Sequence, residues 1–340
     1  MVNIQKYFEE FHDAIRLRSH HDNEIAEKKK ILLTKLRGFL ERKFEEEGLP
    51  IPTFESINQG SYAMDTGILP AKEGDYDIDV GLLFKIAKSD FDPVTVKKWV
   101  LEALGDHTSD VQMKEPCVTV NYMDDGEVIY HVDLAVYSNN NLDGQTYLAR
   151  GEESSDAASK KWELSQPQQL ITLITQKFGG DGAQFRRIIK YLKRWKDVNF
   201  PATGNGAPLG IGITIAAYNW CEIGKTYDAT TGRTIYDDRS ALKNFLQRLL
   251  GQFTGNRLHV TMPVQPFNDL FAGMSDIQSQ NFQQKLKDLL SAIIATEIEP
   301  DPAAACEKMQ KKFGEDFPVP EKSETATEKK RAIVSSNESA

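Results

Sequence analysis

Two apolar runs that carry aspartates at alternate positions constrain the fold of this chain more than any other feature. The first run covers residues 77–84 and the second covers residues 131–137. Side chains in a β-strand alternate between its two faces, so Asp77 and Asp79 share one face of the first run and apolar residues take the other. Asp133 alternates with apolar neighbours in the second run in the same way. If the two strands are neighbours, three carboxylates converge at one point.

The ordinary explanation of an Asp-x-Asp pair is solvated charge at a strand end or in a loop. The placement here favours a functional role, because an unpaired carboxylate within an apolar run costs several kcal/mol and strand interiors disfavour Asp. Converging carboxylates raise one another's pKa values unless a cation lies between them. Two divalent ions roughly 3.5–4 Å apart are used by enzymes for in-line phosphoryl transfer. The pattern therefore predicts a two-metal site at Asp77, Asp79 and Asp133.

A Gly-Ser pair precedes the first acidic run by about sixteen residues. At Gly60 the backbone N–H groups can approach a phosphate closely, and the Ser61 hydroxyl adds a donor. An isolated Gly-Ser pair would be interpreted as a turn, but its position ahead of the acids favours a phosphate contact. The adjacent Gln59 is a candidate for orienting the site.

The combined pattern resembles the signature of the polymerase-β-type nucleotidyltransferases. The flanking residues, Gln59–Ala63 and Tyr76–Gly81, are similar more specifically to those of the bacterial cGAS/DncV-like nucleotidyltransferases (CD-NTases). The resemblance covers most of residues 1–320. It implies an α+β, bilobed fold in which a small mixed β-sheet with helices carries the acids and a helical C-terminal lobe closes over them.

The hydrophobic pattern divides the chain in a compatible way. Apolar residues at helical spacing predict two N-terminal helices, the second ending near Gly48, and a β-rich stretch follows. From about residue 166 the pattern is helical. We therefore expect a nucleotidyltransferase core with N-terminal helices over 1–165, a helical lobe over 166–320 and a disordered tail over 321–340.

A basic helix is predicted over residues 185–196. Its ordinary interpretation is an amphipathic helix with a solvated basic face. However, this is the densest positive cluster of an acidic chain, and a triphosphate needs cations opposite its metals. The Lys193-Arg194-Trp195 triplet resembles the Lys-x-Trp of related nucleotidyltransferases, which implies that Lys193 reaches the triphosphate and Trp195 packs the helix. Three further cations stay unassigned: Arg186, Arg187 and Lys190.

Two further segments bear on the nucleotide. The segment 262–271 resembles the family's Pro-rich turn beside the cleft, which makes Asn268 and Asp269 candidates for a nucleobase contact, with helix capping as the alternative. Relatives often place a Ser near the start of the buried helix that begins at about Leu209, and residues 209–212 offer none.

Composition excludes several classes of protein. The chain has 340 residues and a formal net charge of −9, which argues against stable binding to long DNA or RNA. It has no run of 18 apolar residues and no signal-peptide pattern at its start, so we expect a monomeric, cytoplasmic enzyme with no membrane contact. Its three cysteines are far apart in sequence and are expected to be reduced.

The resemblance implies a cyclic oligonucleotide synthase that joins nucleoside triphosphates into a cyclic di- or trinucleotide second messenger with release of pyrophosphate, in bacterial anti-phage (CBASS) signalling. ATP, with GTP or another triphosphate, would be the substrate. Two Mg²⁺ ions, for which Mn²⁺ can substitute, would be held by the three aspartates, and Asp133 would help to activate the acceptor ribose hydroxyl. Some relatives are ligated through their C-terminus by an operon-encoded enzyme, and the tail of this chain either shares that modification or has no role.

Two alternatives stay open. The chain could be a linear oligoadenylate synthase or another polymerase-β-type nucleotidyltransferase, although the acidic composition counts against a tRNA substrate. It could instead be a catalytically silent nucleotide-sensing scaffold, against which the presence of all three acids speaks. The residues alone do not decide the bases, the 3′–5′ or 2′–5′ linkage, the ring size, the activating signal or the effector.

Overall fold

The computed structural model of the protein describes residues 2–17, 19–71, 76–124, 127–201 and 206–322. Within these ranges the chain forms ten α-helices, a seven-stranded mixed sheet and a separate two-stranded hairpin. The helices are α1 (Gln5–Ile15), α2 (Ser19–Glu47), α3 (Gly60–Ala63), α4 (Pro93–Leu104), α5 (Pro167–Gln176), α6 (Gly182–Asn199), α7 (Gly210–Trp220), α8 (Asp238–Leu250), α9 (Asp276–Glu297) and α10 (Pro302–Phe313). The strands are β1 (Phe54–Asn58), β2 (Tyr76–Phe84), β3 (Asp110–Met113), β4 (Val118–Asp124), β5 (Glu127–Ser138), β6 (Tyr147–Arg150), β7 (Lys161–Leu164), β8 (Lys225–Asp228) and β9 (Arg233–Tyr236).

The large sheet places β2 and β5 side by side. Its strand order is β1-β2-β5-β4-β3, and β6 pairs with the end of β5 and with β7. The β2–β5 pair is parallel, and the other pairs of the sheet are antiparallel. In the parallel register Asp77 lies opposite His131 and Asp79 lies opposite Asp133. Because strand side chains alternate between faces, these four side chains share one face of the sheet.

Two hydrophobic clusters pack the molecule. The first joins the apolar face of the sheet, which includes Val80 and Val132, to α2 and α4. The second joins α1, α6, α7, α8, α9 and α10. The sequence prediction groups the N-terminal helices with the sheet, but α1 packs with the helices instead: its Phe8 and Phe11 rings lie 5.4 and 5.3 Å from the Tyr191 ring of α6. An apolar stripe predicts that a helix is buried, but it does not identify the neighbour.

Capping residues mark the starts of two helices that apolar periodicity does not indicate. Asp92 accepts hydrogen bonds from two backbone N–H groups at the start of α4, and Asp301 does the same at the start of α10. Each of these helices also has proline in its first turn. In α9, Ser275 and Gln278 form a capping box.

The predicted α+β fold is confirmed. The structure has the two N-terminal helices, the second ending before Gly48, the acidic strands and the helical region after Leu164. The short strands β6 to β9 are not indicated by the sequence pattern. A 3₁₀ turn at Gly179–Asp181 precedes α6. Residues 125–126 and residues 323–340, which make up most of the predicted tail, lie outside the described residues. None of the described helices combines the length and the apolar character needed to cross a membrane.

Candidate active site

The three aspartates predicted from the sequence meet on the shared face of β2 and β5. Asp79 and Asp133 are register partners, and Asp77 is two residues from Asp79 on the same strand. The Asp77 side chain is 62% exposed, and that of Asp133 is 25% exposed. The acids therefore form a row that runs from solvent into the protein.

Neighbouring side chains hold the two outer members of this row. His131 Nε2 lies 2.9 Å from Asp77 Oδ1 and 3.9 Å from Asp133 Oδ2. Thr119, the register partner of Asp133 on β4, donates its hydroxyl to Asp133 Oδ1 at 2.5 Å. Neither His131 nor Thr119 is a predicted site residue. His131 shares the face of Asp133 in the alternation, but only the pairing of β4 with β5 brings Thr119 to the site.

The carboxylates differ in their electrostatics. Burial raises the pKa of Asp79 to about 6, and the charges of Asp77 and Asp133 act in the same direction. The hydrogen bond with His131 holds the pKa of Asp77 below its usual value. Of the three acids, Asp79 is therefore the one whose charged form is most disfavoured. A bound cation would stabilise that charged form and lower its pKa.

The Gly60–Ser61 turn lies directly against Asp79. The backbone N–H of Gln59 donates to the Asp79 carbonyl at 2.9 Å, which ties the turn to β2. Gly60 has a φ of +60°, and a Cβ at this position would lie 1.7 Å from Asp79 Oδ2. Both the left-handed backbone and the close approach require glycine here. The spacing predicted in the sequence thus places the Gly-Ser pair beside the acids.

The Gln59 side chain is buried under this turn. Its amide nitrogen donates to the Tyr137 hydroxyl at 3.0 Å, and only 7% of the residue is exposed. A Cβ on Gly81 would lie 2.7 Å from the same amide nitrogen, so the absence of a side chain at Gly81 makes room for Gln59. Gln59 lines the cavity described next, and its amide binds the hydroxyl of Tyr137 on β5.

A cavity of about 630 Å³ opens between the acidic strands and the helices. This volume lies within the range that is usual for small-molecule sites. One part of its wall is polar and charged, and another part is apolar. The polar part includes Gln59, Gly60, Ser61, Asp77, Asp79, Lys193, Lys196 and Asp197. The apolar part includes Met64, Ile68, Pro167, Leu170, Ile171, Ile211, Met262, Val264 and Pro266. Such a wall suits a ligand with a charged end and a flat apolar end.

Helix α6 forms the basic side of the cavity, but its basic face is not solvated as its ordinary interpretation predicts. Lys190, Lys193 and Arg194 are each less than 9% exposed. Helices α1, α7, α8 and α10 pack around α6, so these cations find their partners within the protein. Lys193 Nζ donates to the Thr66 carbonyl at 2.9 Å, and burial lowers the pKa of Lys193 to about 7.

The structure places two other predicted contacts away from the cavity. Asn268 and Asp269 are not among its lining residues. The Asp269 carboxylate accepts hydrogen bonds from the backbone N–H groups of Val260 and Phe271 and contacts His259 Nδ1 at 2.7 Å. The neighbouring part of the same segment, residues 262–266, does reach the cavity.

The start of α7 has no serine, in line with the sequence, but a hydroxyl lines the cavity one turn later. Thr214 contributes it and donates to the Gly210 carbonyl at 3.0 Å. Lys196, on the opposite side, lines the cavity and pairs with Asp197 at 3.0 Å. Neither residue is a predicted site residue, because only the packing of α6 and α7 brings them to the cleft.

The donor set at the acids fits a hard divalent ion. Carboxylate oxygens are the ligands that Mg²⁺ prefers, and burial together with the charges of Asp77 and Asp133 raises the pKa of Asp79. In the present side-chain arrangement, the described part of the chain has no group of three or more His, Cys, Asp or Glu residues set to hold a metal. His131 and Thr119 hold the outer carboxylates, so these side chains would have to turn toward an ion.

A parallel strand pair with an Asp-x-Asp beside a third aspartate, faced by a Gly-Ser turn, is the arrangement that the resemblance to the polymerase-β-type nucleotidyltransferases implies. Within this class the chain is similar to the cGAS/DncV-like nucleotidyltransferases. Residues 53–137, which contain the turn and all three acids, match the family described as the cyclic GMP-AMP synthase DncV-like nucleotidyltransferase domain.

Solved structures extend the likeness to the whole fold. The Vibrio cholerae DncV cyclic AMP-GMP synthase is 17% identical, with a TM-score of 0.70 over 90% of this chain and 93% of that chain. Its complex with nonhydrolyzable GTP is 16% identical, with a TM-score of 0.72 over 92% and 94% of the two chains.

A curated relative matches part of the chain in sequence. The c-di-GMP synthase of Roseivirga ehrenbergii is 24% identical over 240 residues. The match covers 64% of this chain and 60% of that protein, so the chain spans somewhat less than two thirds of the relative's length.

Proposed function

We propose that this protein joins nucleoside triphosphates into a cyclic di- or trinucleotide and releases pyrophosphate, as a signalling enzyme of bacterial anti-phage defence. The observation that carries the proposal is the parallel register of β2 and β5, which sets Asp133 beside Asp79 and two strand positions from Asp77. The family match and the DncV fold support it. The activities for which the relatives are named, cyclic AMP-GMP synthesis and c-di-GMP synthesis, point to cyclic products.

Asp77, Asp79 and Asp133 would hold a pair of Mg²⁺ ions, for which Mn²⁺ can substitute. When bound, such ions neutralise phosphate charge and make an acceptor hydroxyl more nucleophilic. The chain's own contribution is placement: the acids lie against the Gly60–Ser61 turn, and the apolar wall of the cavity lies beyond. In this arrangement the turn binds the triphosphate and the apolar wall excludes water around a base.

The acceptor ribose hydroxyl attacks the α-phosphorus of the donor. A new phosphorus–oxygen bond forms as the hydroxyl proton passes to the Asp133 carboxylate. The bond from the α-phosphorus to the bridging oxygen breaks, and pyrophosphate leaves with that electron pair. The Lys193 ammonium, which lines the same cavity as Asp77 and Asp79, stabilises the charge that develops on the leaving group. A second turnover on the linear intermediate closes the ring.

The substrates are ATP together with GTP or another triphosphate. Structures of DncV have been solved with ATP and GTP and with the linear intermediate 5′-pppA(3′,5′)pG. The net charge of −9 supports small nucleotides rather than long nucleic acids as partners. The proposal extends to a cytoplasmic monomer whose C-terminal tail is conjugated by an accompanying ligase, which mass spectrometry of protein from infected cells would test.

Incubation with labelled ATP, GTP, CTP and UTP plus Mg²⁺ or Mn²⁺ tests the reaction. We expect a product that resists phosphatase and has the mass of a cyclic di- or trinucleotide. Asp106→Asn, which alters an exposed carboxylate outside the cavity, serves as the matched control for a substitution at the acids and should leave the product unchanged. A phosphatase-sensitive chain would instead support the linear synthase, and persistent absence of product together with full function in cells would support the scaffold.

A further inference from the structure

Four cations of α6 bind one short segment that follows α3. Arg186 Nε and Lys190 Nζ each lie 2.8 Å from a different carboxylate oxygen of Asp65. Lys193 Nζ donates to the carbonyl of Thr66 at 2.9 Å. Arg194 donates to the carbonyl of Leu69 at 2.8 Å. The helical lobe therefore binds residues 65–69 at three positions, Asp65, Thr66 and Leu69.

The same segment is fastened to the Gly60–Ser61 turn. The backbone N–H of Thr66 donates to the Ser61 carbonyl at 2.9 Å, and the N–H of Asp65 donates to the Tyr62 carbonyl at 3.1 Å. Gly67 lies next to Ser61, since a Cβ on Gly67 would be in van der Waals contact with the Ser61 hydroxyl at 3.4 Å. A displacement of residues 65–67 would therefore displace Ser61.

The backbone conformation of Asp65 is one that persists only where the surroundings hold the residue in place. Its φ is +50°, in the left-handed region that few residues other than glycine occupy. Asp and Asn tolerate this region better than other side chains, and such conformations persist where the surroundings fix them. Lys190 supports this view, because its side chain is only 6% exposed and its ammonium is directed at Asp65.

We propose that Asp65 is a positioning residue: by binding Arg186 and Lys190 of the helical lobe, it holds the Gly60–Ser61 turn in place against Asp79. Asp65 does not line the nucleotide cavity, so it acts through the turn and touches no reacting group. Two of the three α6 cations that the sequence leaves unassigned, Arg186 and Lys190, then serve this anchor rather than the triphosphate. The inference rests on the proposed function for its effect on turnover, but not for its effect on the turn itself.

Asp65→Asn is the variant of choice, because Asn also tolerates the left-handed backbone and the substitution removes only the charge. We expect kcat to fall about tenfold with KM changed less than threefold, because misplacement of a positioning group acts mainly on the geometry of reaction. Asp106→Asn is the matched control and should leave both constants within twofold. A rise in KM with unchanged kcat would overturn the proposal, since it would mean that Asp65 affects binding alone.

A double variant separates positioning from simple charge compensation. If Asp65 only neutralises the buried Lys190, then Asp65→Asn combined with Lys190→Gln should restore kcat to within twofold of the wild type. If Asp65 fixes the turn, the double variant stays at least as slow as Asp65→Asn. Restoration would therefore overturn the proposal.

Hydrogen exchange tests the turn independently of catalysis. In Asp65→Asn the backbone amides of residues 63–66, whose hydrogen bonds close the turn, should exchange about tenfold faster than in the wild type and in Asp106→Asn. Unchanged exchange in this segment would overturn the proposal even if the protein proved to make no cyclic product. If exchange were faster in Asp65→Asn but the wild type made no cyclic product, the proposed function would be rejected and the positioning role of Asp65 would stand.

Discussion

The acidic and basic sides of the cavity differ in whether their charged side chains have partners within the protein. On the acidic side, where Asp77 and Asp79 line the cavity and Asp133 lies beside Asp79, the described residues give the Asp79 carboxylate no hydrogen-bond donor. Burial and the charges of Asp77 and Asp133 raise the pKa of Asp79 to about 6. On the basic side every cation of α6 has a partner. The acidic side is thus built for an incoming cation, whereas most of the basic side holds the protein together.

Asp79→Asn should produce the largest effect on activity. It removes the central carboxylate, and we expect kcat/KM for cyclic product to fall at least about a thousandfold, the scale at which electrostatic stabilisation acts in active sites. Radiolabelled product formation with Mg²⁺ measures the loss. Activity within tenfold of the wild type would show that the acidic side is not the reaction centre.

The same variant should become more stable in metal-free buffer at pH 7. The folded pKa of Asp79, about 6, lies above its ordinary value of 3.8, so the folded state binds more protons between these values. Wild-type stability from this group is present at low pH and is lost as pH rises from about 4 to 6. Urea unfolding should show that Asp79→Asn lacks this loss, with a gain on the order of 2 kcal/mol at pH 7.

Asp238→Asn tests the structural role of the basic side and should give the largest loss of stability. Asp238 is fully buried and binds Arg187 at 2.7 Å together with the hydroxyl of Tyr191 at 2.8 Å. Removing its charge leaves the Arg187 guanidinium, whose side chain is 15% exposed, without its counter-ion, which costs about 3 kcal/mol. We expect the midpoint of urea unfolding to fall while the activity per folded molecule stays within threefold. Asp237→Asn is a poor control because Asp237 caps α8, so exposed Asp106→Asn is preferable.

The contrast between the two sides also explains what could be predicted from the sequence. Asp77, Asp79 and Asp133 stand out because strand alternation makes an acid in an apolar run unusual, and a parallel pairing was enough to bring them together. The partners of the α6 cations could not be predicted, because a basic stripe has the same sequence pattern whether it contacts solvent, phosphate or protein. Asp65 and Asp238 lie far from α6 in sequence.

Gly60→Ala would break the contact between the turn and the acidic side. The added Cβ would lie 1.7 Å from Asp79 Oδ2, and the φ of +60° would strain any L side chain. We expect a loss of about 2–3 kcal/mol in the free energy of unfolding and a matching fall in activity. Gly38→Ala is the matched control: it lies within α2 with nothing within 4 Å of the added Cβ, so it should be neutral or stabilising.

Lys193→Met gives the smallest effect and decides whether any of the basic side serves the ligand. Loss of one charge-assisted phosphate contact should lower kcat/KM about tenfold to thirtyfold, which corresponds to roughly 1.5–2 kcal/mol. If kcat/KM were unchanged, the phosphate contact would be assigned to Lys196, which also lines the cavity.

The pH dependence of stability gives Lys193→Met a second readout. Burial lowers the folded pKa of Lys193 to about 7, below its ordinary value of 10.5, so the unfolded chain binds more protons between these values. Wild-type stability from this group therefore rises with pH from about 7 to 10. Urea unfolding of Lys193→Met should lack that rise, because methionine fills the space without a charge to bury. An equal rise in both proteins would show that the Lys193 ammonium keeps its proton when buried, and that the carbonyl of Thr66 compensates its desolvation.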